Sequence, residues 1–305
     1  MKFLVIGGTG FIGRHLVNDL INANHKVTMV IRSYDSGSGI SALADMVLGD
    51  PLEPGEWQRH AEEADIVINL VGRSIMGRWS HKVMKEIIDT RIRSTEQVVK
   101  AIKQYGKPGC TLINASAIGY YGDTGDQEVT EEARKGEGFL AELTEQWETA
   151  ALKAKDSGNR VVLARISVVM GHGGMLSRLL PLFKIGLGGP FGSGNQWMSW
   201  IHMSDLTRAM VFVSEDNRIS GPVNLCAPYP CTNNDFTRAL ASLLGRHAFL
   251  RVPEKALKLV LGRASELPLF SQKVIPKVLK QAGFKFRFPT IESCLLDLLG
   301  SDYRS

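Results

Sequence analysis

Gly8, Gly10 and Gly13, within Gly7-Gly8-Thr9-Gly10-Phe11-Ile12-Gly13, stand at G-x-G-x-x-G spacing directly behind the apolar run Phe3–Ile6. Glycines so placed permit a tight turn, let backbone amides approach a pyrophosphate, and let a helix lie close on a strand. The helix that opens here points its free N–H groups and the positive end of its dipole at the same phosphates. Gly7 to Gly13 is therefore read as a dinucleotide cradle. About 20 residues past such a loop, a site for NAD offers Asp or Glu to the ribose hydroxyls. This chain has Arg32-Ser33 there instead. A guanidinium suits a 2′-phosphate, so NADP(H) is the expected cofactor. Asp50, after Val47-Leu48-Gly49, is placed toward the adenine side.

Further candidates follow the later apolar runs. Tyr120 and Tyr121 come just past Thr111–Ile113, at the end of a strand where ligands of open α/β sheets bind, and either lean over the nicotinamide or pack under the neighbouring loop. Asp123 caps a turn or serves as a base. His202 titrates in the useful range, yet as part of Trp200–Leu206 it equally reads as a hydrogen-bonded structural histidine, and His172 between Gly171 and Gly173 is similarly open.

The runs Phe3–Ile6, Val27–Ile31, Met46–Leu48, Ile66–Leu70, Thr111–Ile113 and Val161–Ile166 are continuous rather than alternating, as strands covered on both faces should be. Helical spacing over Ile12–Asn22 and Ile87–Tyr105 between them predicts a parallel sheet. The fold class is α/β, a Rossmann doubly wound parallel sheet with a smaller α+β C-terminal substrate domain. Residues 1–170, completed by 203–230, form the first domain and residues 171–305 the second. Gly171–Asn195, with five glycines from Gly186 to Gly194, reads as a loop, and Thr290 as the N-cap of a helix over Ile291–Leu299. Phe284–Phe288 is a short alternating run.

At 305 residues, 44% hydrophobic and 22% charged, the chain is of ordinary globular composition, which excludes disorder, collagen and coiled coil. Cys110, Cys226, Cys231 and Cys294 are too few and scattered for a disulfide framework, and none forms a CxxC pair backed by histidines. A reducing cytoplasm without a metal is expected. The N-terminus meets glycine before a secretory apolar stretch can form, and no run suits a membrane span. The net charge of +5 lies in residues 251–305, with 10 basic and 5 acidic side chains, which leaves 26 of each in residues 1–250. That basic end lacks a nucleic-acid signature, so a solvated face is expected there. The nine acids from Asp123 to Glu148 likewise read as a solvated loop and helix face.

GGTGFIG at Gly7–Gly13, Ser116-Ala117-Ile118-Gly119-Tyr120-Tyr121-Gly122-Asp123, and Pro190-Phe191-Gly192-Ser193-Gly194-Asn195-Gln196 leading to Trp200-Ile201-His202-Met203-Ser204-Asp205-Leu206 form one ordered set. Together they resemble the extended short-chain dehydrogenases/reductases. More narrowly, the chain resembles the atypical branch called the epimerase family, whose members carry a small C-terminal domain of uncharacterised function. Asn69-Leu70-Val71-Gly72, Arg78-Trp79, Gly186-Leu187-Gly188-Gly189-Pro190 and Ser271-Gln272-Lys273-Val274-Ile275-Pro276 match that branch too.

The resemblance implies a nucleotide-sugar-type cleft in which hydride moves between nicotinamide and a substrate carbon. It places Leu70, Val71, Gly72 and Arg91 with the cofactor. Ser116 is the nearest match to the superfamily's active-site serine, although an ungapped count from Gly122 puts Ala117 there; a plain strand-end serine is the alternative. Active members use Tyr-x-x-x-Lys, the tyrosine passing the proton and the lysine lowering its pKa. None of the six tyrosines here has a lysine four residues on, and the helix expected to carry the pair, Gly138–Leu152, has neither residue type.

Arg178, beside the glycine-rich stretch, is the first choice for holding a substrate diphosphate, with Arg73, Arg78 and Arg91 adding to the field. Gln196 and Trp197 are placed at the sugar end. The expected protein is thus an NADP(H)-binding oxidoreductase or nucleotide-sugar epimerase-like isomerase that lacks the usual acid/base pair. The alternative is a catalytically inactive NADP(H) sensor or partner-binding protein. The resemblance also implies a homodimer, and a partner in nucleic acid or membrane is not expected.

Overall fold

Phe3-Leu4-Val5-Ile6 and Ile66-Val67-Ile68 have no polar face to offer water, and both lie at the centre of a seven-stranded sheet covered on both sides. The computed structural model describes residues 1–34 and 39–300. Its first half comprises β1 (Lys2–Ile6), α1 (Phe11–Asn22), β2 (Lys26–Ile31), β3 (Asp45–Leu48), β4 (Ile66–Asn69), α2 (His81–Tyr105), β5 (Thr111–Ala117), β6 (Glu128–Val129) and α3 (Phe139–Leu152). Next come β7 (Arg160–Ile166), β8 (Val168–Met170), α4 (Gly174–Lys184), β9 (Trp197–Met198), β10 (Trp200–His202), α5 (Met203–Glu215) and β11 (Gly221–Leu225). The chain ends with β12 (Cys231–Thr232), α6 (Asn233–Leu243), α7 (Glu254–Leu261), α8 (Glu266–Leu269), β13 (Lys273–Val274), α9 (Lys277–Gln281) and α10 (Ile291–Leu299).

The strand order is β11-β7-β5-β4-β1-β2-β3, and every neighbouring pair is parallel. From β1 the chain winds outward through β2 and β3, and from β4 it winds the other way. The reversal opens a crevice at the carboxyl ends of β1 and β4, where such sheets bind ligands. Successive side chains of β1 serve opposite faces. Phe3 and Val5 meet Leu16, Leu20, Met203 and Leu206 of α1 and α5, while Leu4 and Ile6 meet Val98, Ile102 and Ala151 of α2 and α3. Each of these fully buried side chains from Val upward in size contributes about 1.5–3 kcal/mol.

The C-terminal lobe packs α4, α6 and α10 around Trp200, Phe236 and Leu295. It is fastened to the sheet by buried carboxylates. Asp205 accepts the backbone N–H groups of Arg287 and Phe288 at 2.9–3.0 Å, and Glu131 accepts those of Asn224, Lys277 and Val278 at 3.0–3.2 Å. Residues 261–267 also cover the first turns of α2 and α3, where Leu261, Ala264 and Leu267 pack with Trp79, Phe139 and Leu140.

Three expectations from the sequence are corrected. Gly171–Asn195 is not all loop: Gly174–Lys184 is α4, because its glycines lie at the ends and Leu176 and Phe183 give a buried helical stripe. In Phe284–Phe288 the backbone forms no ladder, since Asp205 takes two of its amides while Phe284 and Phe286 enter the core. The acidic stretch is not wholly solvated either. Glu131 and Glu148 are 8% and 6% exposed, drawn inward by backbone amides in one case and by Arg165 in the other.

All four cysteines are buried and free. Burial pushes the Cys110 thiol up to about 11 and the Cys231 thiol up to about 12, and raises Cys226 and Cys294 as well. No helix among the described residues is long and apolar enough to cross a membrane.

Candidate functional site

The loop after β1 is built for close approach. Gly7 has φ of +86°, and a Cβ there would lie 2.8 Å from the Leu70 carbonyl carbon; a Cβ on Gly13 would fall 2.3 Å from the Gly7 oxygen. The Gly10 amide closes the turn onto the Gly7 carbonyl at 3.1 Å. Gly10 then caps α1 in an extended conformation without a side-chain bond, and the first turn of α1 has no acidic residue. Its amides are left to a ligand, which an anionic group fits. Arg14 Nε ties the loop by donating to the Thr9 carbonyl at 2.8 Å. Ile12 turns into the core, and the Phe11 ring lies against the turn Gly171, Gly173 and Gly174, so the cradle and the entry to α4 share one contact.

On the β2 side, Arg32 and Ser33 are exposed at the strand's carboxyl end, and Arg32 has no ion-pair partner among the described residues. Asp50 is exposed beyond β3, with Oδ1 accepting the Leu52 amide at 2.9 Å.

Across the crevice, Asn69 ends β4 fully buried. Its Nδ2 donates to Asn114 Oδ1 at 2.9 Å and Thr95 Oγ1 at 3.1 Å, and its Oδ1 accepts the Val71 amide at 3.1 Å, which shapes Leu70-Val71-Gly72. Trp147 Nε1 of α3 donates to the same Thr95 hydroxyl at 2.9 Å. The Trp147 indole in turn faces Arg91, whose Cζ is 5.1 Å from the ring centroid. Arg91 Nη1 donates to the carbonyls of Arg73 at 2.9 Å and Ile87 at 3.1 Å, and a Cβ on Gly72 would sit 3.1 Å from its Cζ. Burial brings the Arg91 guanidinium down to about 10, still charged at neutral pH.

At the end of β5 a buried chain of polar groups runs through the sheet. Ser116 Oγ donates to Glu148 Oε1 at 2.5 Å, and Arg165 grips the same carboxylate through Nε and Nη2, both at 2.8 Å. Arg165 Nη1 donates to the Tyr121 hydroxyl at 2.9 Å, which donates to Asn224 Oδ1 at 2.7 Å. Burial pushes the Tyr121 phenol up to about 12 against the pull of Arg165. For Arg165, burial works against the charge, but the hydrogen bonds and charges of Glu148 and Tyr121 together outweigh it and raise the pKa. Ser116 and Tyr121 thus have their hydroxyls committed to this chain. Tyr120 lays its ring over Arg165, 3.6 Å from Cζ, and its hydroxyl makes no hydrogen bond among the described residues. The α3 side chains turned to the post-β5 segment are Leu140 and Thr144: a Cβ on Gly119 would lie 3.2 Å from Leu140 Cβ and 3.8 Å from Thr144 Oγ1.

The substrate candidates do not converge. Arg178 is exposed on α4, and Arg73 pairs with Glu86 at 2.6 Å. Arg78 lies beside Gly262, whose Cβ would be 3.9 Å from its Nε. Gln196 and Trp197 act as fasteners: Gln196 Nε2 donates to the carbonyls of Phe191 and Pro268 at 3.0 and 2.8 Å, and Trp197 Nε1 donates to Asp126 at 2.9 Å. His202 caps α5 by accepting the Ser204 amide at 3.1 Å. The sequence reading missed Asn69, Thr95, Asn114, Trp147, Glu148, Arg165 and Asn224. Three of them carried a signal, since Asn69 ends the apolar β4 and Asn114 and Asn224 interrupt the apolar runs of β5 and β11.

Comparison with known proteins agrees with this geometry. Residues 3–226 match the NAD dependent epimerase/dehydratase family, and residues 252–298 match a domain of unknown function, DUF1731. An epimerase family protein of Mycobacterium bovis is 42% identical over 295 residues, covering 95% of each chain. The human epimerase family protein SDR39U1, solved with NADPH, is 32% identical with a TM-score of 0.85 and covers 98% of this chain and 99% of that one. A nucleoside-diphosphate sugar epimerase of Corynebacterium glutamicum is 31% identical with a TM-score of 0.79, covering 99% of this chain and 58% of that one. Because the family match takes in the whole parallel sheet and its phosphate loop, and the relatives align along nearly all of this chain, it belongs to the NAD dependent epimerase/dehydratase family, among those epimerase family proteins that carry DUF1731.

Proposed function

We propose that this protein binds NADP(H) and passes hydride to or from a small carbonyl or nucleotide-linked substrate, as an oxidoreductase or an epimerase-like isomerase. The observation that carries the reading is the uncapped N-terminus of α1 behind Gly7–Gly13, together with an exposed Arg32 at the end of β2. The amides take the pyrophosphate, and the guanidinium takes the 2′-phosphate. The NADPH in the human relative and the name of the Corynebacterium relative support cofactor and substrate class respectively.

Bound NADP(H) supplies the hydride. Leu70-Val71-Gly72 and Arg91 form one wall of the crevice beside it. Of the proposed proton carriers, Tyr120 is the one whose hydroxyl is not already fixed, while Ser116 and Tyr121 hold the floor through Glu148 and Arg165. Arg178 reaches for the anionic part of the substrate from α4.

A second reading has its own support. With Leu140 and Thr144 on the α3 face toward Gly119 and no Tyr-x-x-x-Lys in the chain, the protein would bind NADPH without turning it over and signal through its C-terminal lobe. Incubation of stereospecifically deuterated NADPH with a panel of nucleotide sugars and small carbonyls separates the two. Deuterium in a product, or exchange into the substrate pool, is expected. Tight NADPH binding with no transfer across the panel would favour the sensor.

A further inference from the structure

Arg91 is a half-buried cation with no carboxylate ion pair among the described residues. The nearby acids are taken: Glu86 pairs with Arg73, Asp89 with Lys85, and Glu148 with Arg165 and Ser116. What holds the Arg91 guanidinium is two backbone carbonyls and the Trp147 ring, in space that a side chain on Gly72 would crowd. The charge therefore stays facing the carboxyl end of β4, next to Leu70-Val71-Gly72.

Its place in the fold says which half of a dinucleotide meets it. α1 and α5 cover one face of the sheet, and α2 and α3 cover the other. Phosphates at the N-terminus of α1 and a 2′-phosphate at Arg32 commit the adenosine half to the β2–β3 side. The nicotinamide half then runs over β4 and β5, toward Arg91 on α2 and Trp147 on α3.

An oxidised nicotinamide ring is a cation and a reduced one is neutral. We propose that Arg91 makes this site select the reduced cofactor, by holding a positive charge beside the ring so that NADP⁺ is disfavoured and NADPH is not. The inference rests on the cofactor reading above and extends it to redox state. It fits a reductase and a sensor, both of which need NADPH retained in preference to NADP⁺, and counts against an epimerase, whose cycle starts from NADP⁺. Like unit charges within about 10 Å at an effective dielectric near 20 shift a binding ratio by roughly tenfold.

Calorimetric titration of the full chain with NADPH, NADP⁺ and 2′,5′-ADP tests this. The wild type is expected to bind NADPH about tenfold more tightly than NADP⁺. Arg91→Met should bring the two affinities together, mainly by tightening NADP⁺, while Arg91→Lys keeps the charge and the preference. Binding of 2′,5′-ADP, which lacks the nicotinamide, should be the same in all three and shows that the variants are folded. Equal affinities in the wild type, or an unchanged preference in Arg91→Met with 2′,5′-ADP binding intact, would overturn the inference. Failure of the wild type to bind any of the three nucleotides would instead sink the cofactor reading itself.

Discussion

Single residues set what the crevice can hold. Arg32 is exposed, without an ion pair among the described residues, so its charge is available to a ligand. Hydrogen bonds to a charged group contribute about 1.5–3 kcal/mol, so Arg32→Ala should weaken NADPH binding by roughly 10- to 100-fold. NADH, which has no 2′-phosphate, should be unaffected; parallel losses for both nucleotides in a fluorescence titration would remove Arg32 from the 2′-phosphate site. At this scale the sequence made legible what depends on local spacing, the close glycine turn of Gly7–Gly13 and the arginine that follows β2. It placed Arg91 with the cofactor but gave no sign of Trp147 beside it. Their contact joins helices α2 and α3 across an intervening strand, and no local pattern announces which arginine of many will face an indole.

Among the elements, α3 carries no tyrosine or lysine and brings Glu148 to Arg165 of β7, with both side chains under 10% exposed. Removing one member of a buried ion pair strands the other charge, so Glu148→Ala should destabilise the fold by about 3–5 kcal/mol. The double change Glu148→Leu with Arg165→Met removes both charges and should recover most of that loss. Urea unfolding midpoints at constant slope provide the measure, and a single-variant loss under about 1 kcal/mol would contradict it. Strands β1, β2, β4, β5 and β7 were legible because parallel strands buried on both faces read as unbroken apolar runs. Helix α4 was hidden by the glycines on either side of it, and the inward turn of Glu148 by its acidic neighbours. Both depend on partners far along the chain, Phe11 for the start of α4 and Arg165 for Glu148.

Over the whole molecule, the two lobes meet through titratable groups. His202 accepts the Ser204 amide through Nδ1, rests its ring 4.0 Å from that of Phe288, and places Nε2 3.3 Å from Asp297 of α10. Burial lowers its pKa below the ordinary 6.5, with Asp297 and Asp205 pulling the other way and His172 adding to the lowering. A histidine harder to protonate when folded than when unfolded contributes stability that is present above about pH 6.5 and is lost as pH falls below it. Thermal unfolding should therefore shift to lower temperature on acidification from pH 7 to 5.5. His202→Asn keeps a capping oxygen without the titration and should flatten that slope. His25, also lowered by burial, remains in the variant as the background. An undiminished slope would place the effect elsewhere. The four cysteines carry a last consequence. Sealed in apolar surroundings and far from thiolate at neutral pH, they make the native chain silent to maleimides and other thiol reagents. A single cysteine introduced at exposed Arg178 would then be the one addressable position, so a dye or spin label attached there would report on α4 without any need to strip the natural thiols.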